Sequence, residues 1–139
     1  FPDATLDVVG CSPKLSIPNC NIIGRVSLAE VSEYYKKASV FCLPTRFDPN
    51  PNVCFEAMAH KLPVISTNGG SRPEFIIEGK SGYLVEVDNS QQLAEKLIEM
   101  IDSPKKCKSF GEYGHQLVWD TYTWEKTGVR IRQNIERFI

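Results

Sequence analysis

Residues 48–74 read DPNPNVCFEAMAHKLPVISTNGGSRPE and carry the strongest structural signal in the chain. In order, the pattern is a loop, a helix opened by a proline, a short apolar strand, and a Gly-Gly turn that leads into another helix. An apolar run of strand length between two helical patterns is typical of one layer of an α/β fold.

Apolar runs on both sides of this stretch extend the pattern. Most are continuous rather than alternating, as expected of strands that are covered on both faces of a parallel sheet. We therefore predict an α/β fold, a Rossmann-like open and mainly parallel sheet with helices on both faces, over one domain of residues 1–139. The predicted strands cover residues 6–10, 21–23, 40–44, 63–67 and 82–86.

The helix starts are predicted from capping residues. Ser27 is expected to cap a helix whose third position, Glu30, completes a capping box. Asn50 is expected to cap the next helix, with Pro51 at its first position, and Ser90 to open a third. Two further helices are predicted over about residues 104–119 and 123–138.

Composition excludes several classes of function. With a net charge of −1 and no basic block, the chain gains no support for nucleic-acid binding. No apolar run approaches the roughly 20 residues that span a bilayer, and the opening FPDATLDVVG lacks the basic and apolar regions of a signal peptide. Because this opening leads almost directly into a strand, we expect that the chain was cut from a longer protein.

The cysteines and histidines favour neither a disulfide framework nor a metal site. The five cysteines are odd in number and contain no CxxC pair, so buried free thiols in a reducing compartment, and hence a cytoplasmic protein, are predicted. His60 and His115 share no metal-ligand spacing and are expected at the surface or at helix ends.

Two carboxylates, Asp48 and Glu56, stand eight residues apart on either side of a helix start. The free N–H groups and the helix dipole favour an anionic group there, and a nearby carboxylate can accept hydrogen bonds from hydroxyls. A nucleotide sugar offers phosphate and hydroxyls in one ligand. The alternatives are that Glu56 pairs with a basic side chain and that Asp48 only shapes an Asp-Pro turn.

Three sequences that follow predicted strands are expected to converge on one crevice, because ligands of such sheets bind beyond the carboxyl ends of the strands. Gly69 and Gly70 allow the backbone to approach a ligand, although a strand-to-helix turn can need them equally. Glu74 suits the first turn of a helix for dipole reasons alone. The three sequences are Gly24-Arg25-Val26, Thr45 to Asn52, and Asn68-Gly69-Gly70-Ser71.

The run DPNPNVCFEAMAHKLPVIST resembles the phrase that surrounds the E-x7-E hallmark of retaining glycosyltransferases of family GT4. GGSRPE resembles the family's GG-x-PE, GKSGYLV its G-x-x-G-x-L-V turn, and YTWEKT its closing F-x-W. The likeness covers nearly the whole chain. It implies the C-terminal, donor-binding half of a GT-B fold with its first strand and helix missing, and an N-terminal acceptor domain that is absent.

The resemblance also implies roles for individual residues. Glu56 takes the place of the glutamate that binds the ribose hydroxyls, and Asp48 that of the glutamate at the donor sugar, although Asp48 is one methylene shorter. Lys61 stands where the family usually has glycine. The implied donor-binding residues are Gly24, Arg25, Val26, Asn52, Val53, Glu56, Gly69, Gly70 and Glu74.

The implied activity is metal-independent transfer of a sugar, with retention, from a nucleoside-diphosphate sugar to a saccharide or lipid-linked acceptor. No cofactor is expected, UDP is favoured as the nucleotide, and surface-polysaccharide synthesis is the expected setting. The expected location is the cytoplasm, with peripheral association at the inner face of the membrane as an alternative. Two rival interpretations stay open: a nucleotide-sugar 2-epimerase, and a nucleotide-binding or partner-docking module without turnover.

Overall fold

The computed structural model describes residues 1–14 and 16–138, which divide into two compact units, Phe1–Lys37 and Ala38–Ile139. In the N-terminal unit, strand β1 (Leu6–Val9) pairs in parallel with β2 (Cys20–Gly24) and is followed by helix α1 (Leu28–Lys37). The predicted capping box of α1 is confirmed, because the Ser27 N–H donates to the Glu30 carboxylate over 2.8 Å and the Glu30 N–H donates to Ser27 Oγ over 3.3 Å.

The C-terminal unit is built on a three-stranded parallel sheet in the order β3-β4-β5. All four residues of β4 are buried, which requires both faces of the sheet to be covered since neighbouring side chains point to opposite faces. The predicted α/β fold with parallel strands is confirmed. Its elements are β3 (Phe41–Leu43), α2 (Asn52–Ala59), β4 (Val64–Thr67), α3 (Arg72–Phe75), β5 (Gly82–Val85), α4 (Ser90–Ile101), α5 (Pro104–Leu117), a π-helical turn (Val118–Tyr122) and α6 (Trp124–Glu136).

The apolar core of this unit lies where α4 and α5 pack on the sheet. Its central cluster joins side chains of β4, β5 and the two helices. Beside it, the Glu99 carboxylate accepts hydrogen bonds from the Tyr83 hydroxyl at 2.5 Å and from Lys106 Nζ at 2.6 Å. These hydrogen bonds lower the pKa of Glu99 to about 2, and the bond from Lys106 has the largest effect. The cluster consists of Ile65, Tyr83, Val85, Met100 and Phe110.

Helix α2 ends in a turn that lies directly against α5. Lys61 has a φ of +61°, the left-handed conformation that glycine adopts most readily. Its carbonyl oxygen faces Gly111 so closely that a Cβ at Gly111 would lie 1.9 Å from it. Lysine therefore occupies a glycine-like conformation here, and a glycine on α5 makes room for it.

One capping prediction is wrong. Asn50 does not cap α2: the helix begins at Asn52 after Pro51, and the Asn50 side chain accepts a hydrogen bond from the Ser71 hydroxyl at 2.7 Å. The contact with Ser71 occupies the side-chain oxygen that a cap would use. The predicted start of α4 at Ser90 is confirmed, and Asn89 caps this helix with a side chain that accepts a hydrogen bond from the Gln92 N–H at 2.9 Å.

The prediction of buried thiols is correct for only part of the set. All five cysteines are free, but Cys11 is exposed, because it lies in the loop between β1 and β2 rather than in an apolar run. Cys54 is fully buried on α2, and burial raises its pKa to about 12. Burial likewise raises the pKa of Cys42 to about 11.

Candidate functional site

The loop between β3 and α2 lies against the Gly-Gly turn that follows β4. The Ser71 N–H donates to the Pro49 carbonyl over 2.9 Å. Gly70 has a φ of +56°, and a Cβ there would lie 2.6 Å from the Pro49 oxygen and 2.8 Å from the Asp48 oxygen. Glycine at this position is therefore required both by conformation and by the approach of the loop.

The Arg72 side chain links the loop between β3 and α2 to the end of strand β4. Its side chain is buried, with Nε donating to the Thr67 carbonyl over 2.6 Å and Nη1 donating to the Asp48 carbonyl over 2.7 Å. Thr67 Oγ1 in turn donates to the Thr45 carbonyl over 2.5 Å. Thr67 at the end of β4 thus holds the loop at Thr45, and Arg72 links the same residue to the loop at Asp48.

The N-terminus of α2 opens from this loop without a side-chain cap. Asn52 and Val53, the first two helical residues, are exposed, and Pro51 has no N–H to donate. The opposite face of the helix holds Cys54, Ala57 and Met58, which are fully buried. The helix is held by its inner face while its amide end is open to an anion.

The two predicted carboxylates take different positions around this helix start. Asp48 is half-buried, and its Oδ1 accepts a hydrogen bond from the Asn50 N–H at 3.2 Å, so the turn-forming role weighed for it is observed. Glu56 is exposed, although Val53, Phe55, Ala57 and Met58 around it are apolar. The helical period explains the difference, since Cys54 and Ala57 face the core and Glu56 lies on the outer side.

Glu74 lies in the first turn of α3, as predicted, and is exposed. The Tyr122 hydroxyl donates to the Glu74 carbonyl over 3.0 Å. The Tyr122 ring also packs on Phe55 and Phe75, with centroids 5.0 and 6.3 Å away. Phe55 directly precedes Glu56 in the sequence, and Phe75 directly follows Glu74. One aromatic cluster therefore supports the segments that carry both glutamates.

Gly24, Arg25 and Val26 lie at the end of β2 in the N-terminal unit. Gly24 is buried with a φ of +77°, and a Cβ there would lie 2.9 Å from Ser12 Oγ. Arg25 is exposed and Val26 is half-buried. The glycine is explained by this turn, and the contact of the segment with a nucleotide base stays a prediction.

A cavity of about 210 Å³ opens at the carboxyl ends of β3, β4 and β5. The pair Arg46 Nε and Asp88 Oδ1, 2.8 Å apart, belongs to its lining, as do Thr45 and Thr67. Sequence reasoning placed a ligand at this edge of the sheet but did not include the turn after β5. Asp88 could have indicated this turn, because aspartate tolerates the left-handed conformation that it adopts here, with a φ of +60°, just before the cap of α4.

The two histidines lie where the sequence predicted them. His60 ends α2, and its Nδ1 donates to the Glu56 carbonyl over 2.8 Å; His115 lies in the last turn of α5 beside Trp119. Across residues 1–14 and 16–138, no group of three or more histidine, cysteine, aspartate or glutamate side chains could hold a metal ion. None of the helices in those ranges is long and apolar enough to cross a membrane.

Comparison with known proteins identifies the family of this chain. The family model of glycosyl transferases group 1 matches residues 13–117. The chain is 32% identical over 123 residues to an uncharacterized glycosyltransferase of Methanocaldococcus jannaschii, covering 88% of this chain and 35% of that protein. It is 29% identical over 113 residues to the capsular polysaccharide biosynthesis glycosyltransferase CapM of Staphylococcus aureus, covering 78% of this chain and 29% of that protein.

A solved structure is similar as well. The C-terminal domain of the glycosyl transferase group 1 family protein LpcC from Francisella tularensis superimposes with a TM-score of 0.71 and 30% identity, covering 77% of this chain and 55% of that one. The chain belongs to the glycosyl transferases group 1 family. It corresponds to the C-terminal domain of a GT-B glycosyltransferase, as the sequence predicted, and spans about a third of the length of the curated relatives it matches.

Proposed function

We propose that the full-length protein is a retaining glycosyltransferase that moves a sugar from a nucleoside-diphosphate donor to a saccharide or lipid-linked acceptor. The observation that carries the proposal is the uncapped N-terminus of α2, open to solvent between the anchored Asp48 loop and Glu56. This arrangement supplies amide donors for a diphosphate and a carboxylate for sugar hydroxyls. The acceptor would bind mainly to a further domain of the full-length protein.

In this proposal the amides of Asn52 and Val53 bind the diphosphate, Glu56 accepts hydrogen bonds from the ribose hydroxyls, and Asp48 positions the donor sugar. The bond between the sugar C1 and the diphosphate oxygen breaks while the acceptor hydroxyl forms its bond on the same face. The departing diphosphate takes the hydroxyl proton, and the helix N-terminus stabilises its charge. No metal ion is needed in this scheme.

We further propose a UDP-sugar donor, peripheral membrane association and a setting in surface-polysaccharide assembly. The Pro-Asn-Val run at residues 51–53 favours UDP by its likeness to the family phrase. The similarity to CapM, whose name places it in capsule synthesis, supports the setting. A cytoplasmic location would bring the enzyme to the donor pool.

The rival enzyme class is a nucleotide-sugar 2-epimerase, which would bind the same donor. Product analysis separates the two, because an epimerase converts the donor without an acceptor. A nucleotide-binding module without turnover is the second rival. It predicts nucleotide affinity in the full-length protein and no change in the donor sugar under any condition.

The test is a screen of UDP-, GDP- and ADP-sugars with the purified full-length protein and a panel of saccharide and lipid-linked acceptors. We expect transfer from one class of donor, with the anomeric configuration retained in the product. An inverted product or an epimerised donor would contradict the proposed reaction. Residues 1–139 alone should show no transfer, because catalysis needs the acceptor held against the donor.

A further inference from the structure

Arg72 is a buried charge that the proposed reaction does not use. Only 2% of the residue is exposed, and both of its hydrogen bonds from Nε and Nη1 go to backbone carbonyl oxygens. Removing a guanidinium from water is costly unless its N–H groups are paired. A neutral side chain would fill this space at lower cost, so the presence of arginine indicates a specific role.

The two acceptors of Arg72 belong to a buried strand and to a surface loop. Thr67 ends β4, every residue of which is buried and which is paired on both sides. Asp48 lies in the loop, 24 positions before Arg72. The rigid fork of the guanidinium binds both carbonyls at once, which a lysine ammonium on its flexible stem cannot do in the same geometry.

Helix α2 does not depend on this contact. Its inner face is fully buried, so the helix is held by the core even where the loop before it moves. Around Asp48 the loop meets the rest of the unit through Arg72, Ser71 and the Gly70 backbone, whereas its first residues are held by the contacts of Thr45 with Thr67 and of Arg46 with Asp88. Loss of the arginine should therefore displace Asp48 without moving the amides at the start of α2.

We propose that Arg72 is a positioning residue for sugar transfer, holding the Asp48 backbone against the end of β4 so that the Asp48 carboxylate lies at the donor sugar. This proposal rests on the proposed function. It accounts for a charged side chain beneath the loop, at a position to which neither the predicted motif nor the predicted chemistry assigned a role.

The test uses Arg72→Lys and Arg72→Met in the full-length protein, with Arg132→Lys on the exposed face of α6 as the matched control. We expect kcat for transfer to fall about 10- to 100-fold in both variants, since a displacement of about 1 Å can cost that much. Affinity for the free nucleoside diphosphate should stay within about twofold. Arg72→Met keeps the test open if the lysine variant does not fold, because an apolar side chain tolerates this burial.

A double variant shows whether Arg72 acts through Asp48. If it does, adding Arg72→Lys to Asp48→Ala should lower kcat by less than about threefold further, because the carboxylate is already lost. Independent, multiplicative losses would overturn the proposal. So would unchanged transfer in a folded Arg72 variant, or an equal loss of transfer and nucleotide affinity.

Hydrogen exchange provides a measurement that is independent of activity. Arg72→Lys should speed amide exchange in residues 46–50 and leave that of α4 and α5 unchanged, whereas unchanged exchange in the loop would refute the role of Arg72. Absence of transfer by the wild-type protein would refute the proposed function. The exchange result would then still decide whether Arg72 holds the loop.

Discussion

Replacing Gly111 by alanine sets helix propensity against tertiary packing. Gly111 lies inside α5, where alanine is intrinsically favoured over glycine by about 1 kcal/mol. A Cβ at this position would lie 1.9 Å from the Lys61 carbonyl oxygen and 2.7 Å from its carbonyl carbon. Both atoms belong to backbone, so α5 and the turn after α2 would have to separate by roughly 1 Å.

Overpacking costs about 1–3 kcal/mol or more, and because the clash is with backbone atoms we expect about 2–3 kcal/mol here, which exceeds the gain in propensity. We therefore expect Gly111→Ala to lower the free energy of unfolding by about 1–2 kcal/mol, measured from the midpoint of urea unfolding at constant slope. Gly128→Ala on α6 is the matched control, because nothing lies within 4 Å of a Cβ there. It should raise the stability of α6 by up to about 1 kcal/mol. A Gly111→Ala protein as stable as wild type would refute the packing argument.

Three further predictions follow from single contacts. Because the pKa of Glu99 is lowered to about 2, its contribution to stability is present above about pH 4.5 and is lost as the pH falls towards 2. Between pH 6 and pH 3 the free energy of unfolding, measured in urea, should fall by only roughly 0.5–1 kcal/mol more in wild type than in Glu99→Gln, because this carboxylate is partly exposed. Equal losses in the two proteins would contradict the assignment. Lys61→Gly should stabilise the protein by about 0.5–1 kcal/mol, because glycine adopts the left-handed conformation without strain, whereas Lys61→Ala should not. Equal melting temperatures of the two variants would contradict this prediction. In the full-length protein Glu56→Gln should weaken nucleotide binding by about 1 kcal/mol, measured by calorimetry, and an unchanged affinity would make Glu56 structural.

Local patterns in the sequence were sufficient to predict the elements of the fold. Five apolar runs matched five strands to within one residue at either end, and the continuous apolar signature is explained best in β4, which is buried on both faces. The capping box of Ser27 and Glu30 was also correct, since both of its bonds close within four residues. The likeness to the family around Glu56 then predicted the class of protein, which the comparisons confirm.

What the sequence could not show depends on residues far apart in the chain. Asn50 was expected to cap α2, but it contacts Ser71, 21 residues away. Arginine side chains are usually exposed, and Arg72 is buried only because β4 and the Asp48 loop pack together around it. The local sequence therefore determined which segments become strands and helices. The packing of those segments decided which polar groups support the N-terminus of α2. The sequence could not show these contacts, because they join distant residues and leave no periodic pattern in the chain.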